Sequence, residues 1–226
     1  MGEELQMISL LFILLIFVIL YLIFIRKIKI KFKTFLKKGF KINRGVFGVY
    51  CYCGKQGSGK TYSVVEFLKE NSDLPIYANI KTIHEIEYTY FEGFDQLLAL
   101  KDKSDCIIVY DEIFTALTKS SRMTTEVLSF LSQMRKRRII FLTTAQEWLE
   151  INITLRRYCR YQIECSMTNF FGFFGILTKS FYDAEHMKWD NLENEYIAPI
   201  ISTTISKANL LVANSYDTFE QISTSK

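Results

Sequence analysis

The chain has 226 residues, of which 49% are hydrophobic and 23% are charged, and this balance excludes a disordered or collagen-like polypeptide. Its five cysteines form no CxxC pair, which indicates a reducing compartment, and its two histidines are too few for a histidine-based metal or protease site. The net charge of +4 is no argument for a basic DNA-binding globule, because residues 26–44 hold nine of the 28 basic residues and none of the 24 acidic ones.

The first predicted element is an apolar helix. Residues 7–25 read MISLLFILLIFVILYLIFI, nineteen residues without a charge, a proline or a glycine. A helix of this length spans about 28 Å, close to the hydrocarbon thickness of a bilayer. It lacks the polar stripe of an amphipathic helix, and its acidic leader, Glu3 and Glu4, does not suit a cleaved signal peptide. We therefore predict an uncleaved transmembrane anchor over residues 1–25.

The basic segment at residues 26–44 sets the expected orientation of this anchor. Positive residues follow the span and acidic residues precede it, so residues 26–226 are predicted to lie in the cytoplasm. The protein would then be a single-pass protein of the host cytoplasmic membrane or of a virion membrane. The juxtamembrane residues alternate basic and apolar side chains, which suits a strand or a segment on anionic headgroups. A DNA-contacting arm is the alternative.

An apolar, β-rich run at residues 46–53 leads into a glycine-rich loop, and a helical segment follows at residues 62–70. The loop, GKQGSGKT, matches the phosphate-binding motif G-x-x-x-x-G-K-[ST] at every fixed position and in the required strand–loop–helix context. Its glycines let successive amides turn toward one centre. There Lys60 is predicted to contact the β- and γ-phosphates of ATP, and Thr61 to bind Mg²⁺. The predicted nucleotide-binding residues are Gly54, Lys55, Gln56, Gly57, Ser58, Gly59, Lys60 and Thr61.

Two further strands are predicted at residues 74–81 and 106–110, with a helix at residues 94–101 between them. The later strand is a continuous apolar run, as in a buried parallel strand, and it ends in Asp111 and Glu112. Beside a phosphate loop, Asp111 is predicted to hold Mg²⁺, and Glu112 to act as the general base toward a water molecule. A base at this place indicates ATP hydrolysis and argues against a small-molecule kinase.

A helix is predicted over residues 124–137, ending in a basic cluster, and a buried strand over residues 139–144. Gln146 follows this strand and is predicted to orient the attacking water and to sense the γ-phosphate; a helix-start residue is the alternative. The pair Arg156 and Arg157 is then predicted at the start of the next strand. One of these two arginines is predicted to reach a neighbouring subunit's site and stabilise transition-state charge, and a solvated basic edge is the alternative.

Residues 169–182 are rich in aromatic side chains and contain Gly172 and Gly175, so they predict a hairpin. Ordinary sheet packing is the favoured role of these aromatic side chains. Contact with membrane, with neighbouring subunits or with DNA bases is the alternative.

In order, the segments GKQGSGKT, CIIVYDE, MRKRR, IIFLTTAQ and LRRYCRY resemble the HerA/FtsK-type viral DNA-translocating ATPases and, more narrowly, the Zot-like assembly ATPases of filamentous phages. The resemblance covers residues 46–220. It implies ATP and Mg²⁺ as cofactors, DNA as a partner, a homo-oligomeric ring and contacts with virion or assembly proteins. It assigns the motor roles to residues already singled out: Lys60, Thr61, Asp111, Glu112, Gln146, and Arg156 or Arg157. In one departure, many Zot-like proteins place their transmembrane segment after the ATPase domain, whereas here it comes first.

We therefore predict an α/β fold of the RecA-like P-loop NTPase kind, with a mostly parallel sheet, helices on both faces and an added strand between the phosphate-loop strand and the acidic strand. The ATPase domain is predicted at residues 45–226, with a β-rich part at about residues 166–220. The predicted function is a membrane-anchored ATPase that translocates viral DNA during virion assembly, by genome packaging or filamentous-phage extrusion. The alternatives are a nucleotide-switched assembly scaffold of a membrane secretion complex and a plasmid DNA-transfer coupling ATPase.

Overall fold

The computed structural model describes residues 2–26, 28–30, 47–118, 122–170, 174–191 and 195–216. The helices within these residues are α1 (Gly2–Arg26), α2 (Lys60–Glu70), α3 (Gly93–Ala99), α4 (Thr125–Gln133), α5 (Ile153–Tyr158) and α6 (Leu210–Ala213). The strands are β1 (Ile28–Ile30), β2 (Gly48–Cys53), β3 (Ile76–Ala78), β4 (Thr89–Tyr90), β5 (Ile107–Tyr110), β6 (Ile140–Ala145), β7 (Cys159–Phe170), β8 (Phe174–Asp183), β9 (Lys188–Asp190), β10 (Glu195–Ile197) and β11 (Ile200–Lys207).

Nine of these strands form one mixed sheet in the order β1-β11-β8-β7-β2-β6-β5-β3-β4, and β9 pairs with β10 separately. Strand β8 runs antiparallel to both of its neighbours, and the other neighbouring strands of this sheet are parallel. Strand β6 lies between β2, which precedes the phosphate loop, and β5, which precedes the acidic pair. The predicted mostly parallel sheet, with an added strand between those two, is therefore confirmed.

Helices cover both faces of this sheet. Alternate residues of each strand point to opposite faces, so each face contributes to its own apolar core. Val49 and Cys51 of β2 belong to one apolar core, which also contains buried side chains of α3, α4 and α5. Tyr50 and Tyr52 belong to the other core, which contains buried side chains of α2 and α6. The phosphate loop therefore ends in a helix, α2, that packs on the second face alone.

Helix α1 contains the predicted anchor, and the structure describes its side chains over residues 7–21. These side chains are exposed, including the large apolar ones. Over the described residues, no helix is long and apolar enough to cross a membrane. Of the basic segment at residues 26–44, residues 28–30 form β1, which pairs parallel with β11. Residues 27 and 31–44 lie outside the described residues.

Two boundaries predicted from the sequence are wrong. The helix predicted over residues 124–137 ends at Gln133, because the chain then turns back into β6. In this turn the amide of Ile139 donates to the carbonyl of Met134, and Arg138 adopts a left-handed φ of 55°. A run of basic residues, which are good helix formers, gives no signal of such a turn. The arginine pair lies on α5 rather than in a strand, and β7 begins only at Cys159.

The hairpin predicted at residues 169–182 is confirmed. Strands β7 and β8 are antiparallel, with Asn169 opposite Gly175 in the register. Residues 171–173, between the two strands, lie outside the described residues.

Candidate active site

The phosphate loop connects β2 to α2 and depends on glycine at its last position. Gly59 is the N-cap of α2 and has a φ of 85°, a left-handed conformation that favours glycine. A Cβ atom at this position would lie 2.9 Å from Cδ1 of Leu177 and 3.0 Å from Cε of Met167. The β7–β8 hairpin therefore packs directly against the loop, and a larger residue at position 59 would displace it.

The predicted lysine lies inside this loop. Nζ of Lys60 donates hydrogen bonds to the carbonyl oxygens of Gly54, at 2.6 Å, and Lys55, at 3.1 Å. The amide of Ser58 donates to the carbonyl of Lys55 at 3.1 Å and closes the turn. The loop thus surrounds a positive charge at the N-terminus of a helix, which is the arrangement that binds phosphate groups.

The hydroxyl of Thr61 joins the loop to the acidic strand, since its Oγ1 donates to Oδ2 of Asp111 at 3.3 Å. Burial raises the pKa of the Asp111 carboxyl, although hydrogen bonds from Thr144 and Thr61 act against this effect. Burial and the charge of Asp111 raise the pKa of Glu112. Lys60, Thr61, Asp111 and Glu112 are therefore brought together, as predicted.

The oxygen donors of this site would suit a Mg²⁺ ion that takes its remaining ligands from phosphate and water. The hydroxyl of Thr61 and the carboxylate of Asp111 are hard oxygen donors, and Mg²⁺ in nucleotide sites usually takes one or two protein oxygens together with phosphate and water. Among the described residues, no cluster of three or more histidine, cysteine, aspartate or glutamate side chains could hold a metal ion. The donor set thus suits a magnesium ion that arrives with a nucleotide.

Two residues that hold the acidic pair were not predicted from the sequence. Thr144 on β6 donates to Oδ1 of Asp111, and its Oγ1 accepts the amide of Glu112 at 2.8 Å. Asn79, just after β3, accepts the amide of Asp111 at 2.7 Å and donates to its carbonyl at 3.2 Å. Glu112 has a left-handed φ of 54°. The two side chains thus fix the backbone that leads into this unusual conformation.

Gln146 lies at the predicted place, immediately after β6, and its side chain is exposed. Its backbone carbonyl accepts the amide of Gly54 at 3.1 Å, which ties the end of β6 to the start of the phosphate loop. A cleft of about 610 Å³ opens here, with Gln146, Lys55, Glu164 and Tyr182 in its walls. The position of Gln146 in this wall is compatible with a sensor of the γ-phosphate, and that role stays a prediction.

The two predicted arginines differ in their surroundings. Arg156 is buried, and its guanidinium lies 6.0 Å from the centre of the Trp148 ring, whereas Arg157 is exposed. Helix α5 leads into β7, which begins opposite Val49 near the start of β2, while the phosphate loop follows the end of β2. The backbone that follows the pair therefore lies level with the start of β2 and not with the loop at its end. Of the two, Arg157 is the one placed to contact another molecule.

We expect Thr144→Val to lower the rate of ATP hydrolysis about 10- to 100-fold, because it removes a hydrogen bond to the carboxylate of Asp111 and a support of the Glu112 amide. The matched control is Thr143→Val on the same strand. The buried hydroxyl of Thr143 has no hydrogen-bond partner among the described residues, so its loss should leave turnover unchanged. Steady-state hydrolysis of Mg·ATP by both variants checks this, and equal rates for the two would contradict it.

Comparisons with known proteins identify an ATPase family and a similar fold. The sequence profile of AAA, the ATPase family associated with various cellular activities, matches residues 50–168. No curated protein matches the chain. The N-terminal domain of zonular occludens toxin from Neisseria meningitidis has 17% identity and a TM-score of 0.52, and the match covers 76% of this chain and 100% of that one. The genome packaging NTPase B204 from Sulfolobus turreted icosahedral virus 2, in complex with ATP-gammaS, has 12% identity and a TM-score of 0.46, with 71% and 100% covered. At 17% identity, the similarity to the zonular occludens toxin domain concerns the fold alone.

Proposed function

This chain belongs to the AAA family of ATPases, and on that premise we propose that it is a membrane-anchored ATPase that uses ATP hydrolysis to move viral DNA during virion assembly. The observation that carries the hydrolytic part is the contact between Thr61 and Asp111, which joins the phosphate loop to the acidic strand. Glu112 follows Asp111 directly in the chain, and we expect its carboxylate to face the terminal phosphate of a bound nucleotide.

Phosphate binding, Mg²⁺ binding and proton transfer would be carried out by different residues of the site. Lys60 and the amides of the loop would hold the phosphates, and Thr61 and Asp111 would hold Mg²⁺, which neutralises phosphate charge when it is bound. The carboxylate of Glu112 would accept the proton of the attacking water. Thr144 would hold the carboxylate of Asp111 and the backbone of Glu112, since it contacts the side chain of one and the amide of the other.

DNA as the cargo is supported by the series of segments from the phosphate loop to the arginine pair, which resembles DNA-translocating ATPases. A carboxylate placed for hydrolysis suits a motor better than a kinase. A ring of identical subunits is part of the same proposal, because the arginine pair lies away from the loop of its own chain.

Membrane anchoring is proposed from the apolar run at residues 7–25 and from the exposure of its side chains, such as Leu10 at 70% and Phe17 at 66%. Apolar surface of this extent is stable in lipid rather than in water. The nine basic residues that follow the run favour a cytoplasmic ATPase domain, because positive residues usually flank a span on its cytoplasmic side.

We expect a reporter fused after Lys226 to lie in the cytoplasm and a tag placed before Met7 to lie outside. Both fusions report on the same protein, and each serves as the control for the other. Protease added from outside should remove the N-terminal tag and spare the reporter. Cleavage of the reporter together with protection of the tag would reverse the orientation, and with it the supply of cytoplasmic ATP to the site.

DNA should stimulate ATP hydrolysis by the full-length chain several-fold, because a translocating ATPase couples hydrolysis to DNA binding. The assay compares single-stranded DNA, double-stranded DNA and no DNA, with Glu112→Gln as the control for contaminating ATPases. A rate that neither kind of DNA changes would contradict the motor proposal.

One observation favours a second function, a nucleotide-switched scaffold of a membrane secretion complex. The basic residues are concentrated at residues 26–44, so the ATPase domain itself is not basic and offers no general attraction for phosphate backbones. A scaffold would hydrolyse ATP at a rate that DNA does not alter, and that rate would change instead when its assembly partners are added.

A further inference from the structure

A buried ion pair connects the phosphate-loop helix to strand β8. Nζ of Lys179 donates to Oε2 of Glu66 on α2 at 2.7 Å, and the two side chains are only 7% and 11% exposed. Burying two charges carries a desolvation penalty that often cancels their attraction, so a pair of this kind is weak evidence for a stabilising role. Its directional geometry points instead to a role in fixing where the helix lies.

The surroundings of the pair support this role. Strand β8 also carries Leu177, which packs at Gly59, the N-cap of α2. On β7, Cys165 lies with its Sγ 3.6 Å from Oγ of Ser63, one residue beyond Tyr62 in the first turn of α2. The hairpin therefore contacts α2 from its N-cap to Glu66. In this series the ion pair is the short, charge-assisted contact, at 2.7 Å, whereas the cysteine–serine contact is a weak sulfur hydrogen bond.

We propose that Lys179 is a positioning residue for nucleotide binding, which acts through Glu66 to hold α2, and with it Lys60 and Thr61, in register with Asp111. Lys60 and Thr61 are the first two residues of α2, so a shift of the helix along its axis moves both of them relative to the acidic strand. Phosphate binding depends on such distances, because hydrogen bonds and charge interactions with the phosphates weaken as the groups move apart. Lys179 itself touches no reacting atom.

This proposal rests on the ATP-binding part of the proposed function and not on the movement of DNA. It also explains why a segment more than a hundred residues after the phosphate loop contributes to the loop: the β7–β8 hairpin supplies one wall of the cradle and the cation that fixes its helix. A second ion pair on α2, here called the surface pair, offers a control: Lys69 and Glu85 are 2.8 Å apart, and their side chains are 18% and 69% exposed.

The test compares two double variants of the full-length chain, Glu66→Leu with Lys179→Met, and Lys69→Met with Glu85→Leu. Each removes both charges of a pair, so neither leaves a lone buried charge. The measurements are the unfolding temperature, the Kd of a fluorescent ATP analogue, and KM and kcat for ATP. For the buried pair we expect an unfolding temperature close to that of the parent. The Kd of the analogue and the KM for ATP should rise about tenfold or more, with a smaller change in kcat. For the surface pair we expect parent values throughout.

A buried-pair variant that folds like the parent and binds the analogue with the parent Kd would overturn the proposal, because the pair would then be only structural. If the double variant does not fold, Glu66→Asp decides, since it keeps both charges and shortens the reach of the carboxylate by one methylene. A raised Kd in Glu66→Asp supports positioning, and an unchanged Kd overturns it. Because binding is read directly, the result stands apart from whether DNA stimulates turnover.

Discussion

Replacing Glu112 with glutamine is expected to lower ATP turnover by at least about 10², while ATP still binds, because general-base catalysis contributes roughly 10²–10⁴ to such reactions. The amide has the shape of the carboxylate but cannot accept a proton from water. Lys60→Ala should behave differently and lose ATP binding itself, since it removes the ammonium held within the loop. Turnover and the Kd of a fluorescent ATP analogue, measured on both variants, separate the two effects.

The control for Glu112→Gln is Glu150→Gln, a change at an exposed glutamate outside the site, which should leave turnover unchanged. Stability gives a second check. Burial and the charge of Asp111 raise the pKa of Glu112, so above its unfolded pKa the charged form opposes folding, and the neutral amide should not reduce the free energy of unfolding at neutral pH. Parent-like turnover in Glu112→Gln would remove this residue from the catalytic role.

The second large effect is expected from the arginine pair. Arg156→Ala with Arg157→Ala should cut turnover by roughly 10³ while ATP binding stays nearly intact, because an arginine supplied in trans stabilises charge that develops only in the transition state. Arg157→Ala alone should account for most of this loss, since Arg157 is exposed, whereas Arg156 is buried beside Trp148. Arg156→Ala should mainly lower the unfolding temperature, as its packing is lost.

Mixing the variants tests whether the arginine acts between subunits. Glu112→Gln subunits keep their arginines, and arginine-less subunits keep Glu112, so each should complete the other's site at a mixed interface. We expect mixtures to hydrolyse ATP faster than either variant assayed separately. If mixed oligomers form and show no gain, the arginine does not act in trans.

Much of the fold was predictable because its central strands are apolar runs bounded by motifs. The runs before Gly54 and Asp111 lie in the sheet as β2 and β5, and the run before Gln146 lies between them as β6. A buried parallel strand needs apolar side chains on both faces, and this pattern is local in the sequence. The motif residues could be placed because they follow the carboxyl ends of those strands.

The supporting residues could not be predicted, because they depend on register between distant segments. Thr144 reaches Asp111 only because β6 pairs with β5 so that Tyr110 lies opposite Thr143. A slip of one residue would exchange the faces of Thr143 and Thr144, and no local pattern distinguishes the two. Lys179 and Glu66 are likewise brought together by a hairpin whose packing is decided by the whole sheet. The turn at Arg138 was missed because it is a backbone feature that its side chain does not signal.

The central claim, that this ATPase moves along DNA, is tested most directly by displacement of streptavidin from biotin at the end of a DNA strand. The assay uses the full-length chain with single- and double-stranded substrates, biotinylated at either end. The parent protein with Mg·ATP should displace streptavidin from one kind of substrate, with a preference for one end, and Glu112→Gln should displace none. Active hydrolysis of ATP by the parent without displacement from any of these substrates would contradict the account.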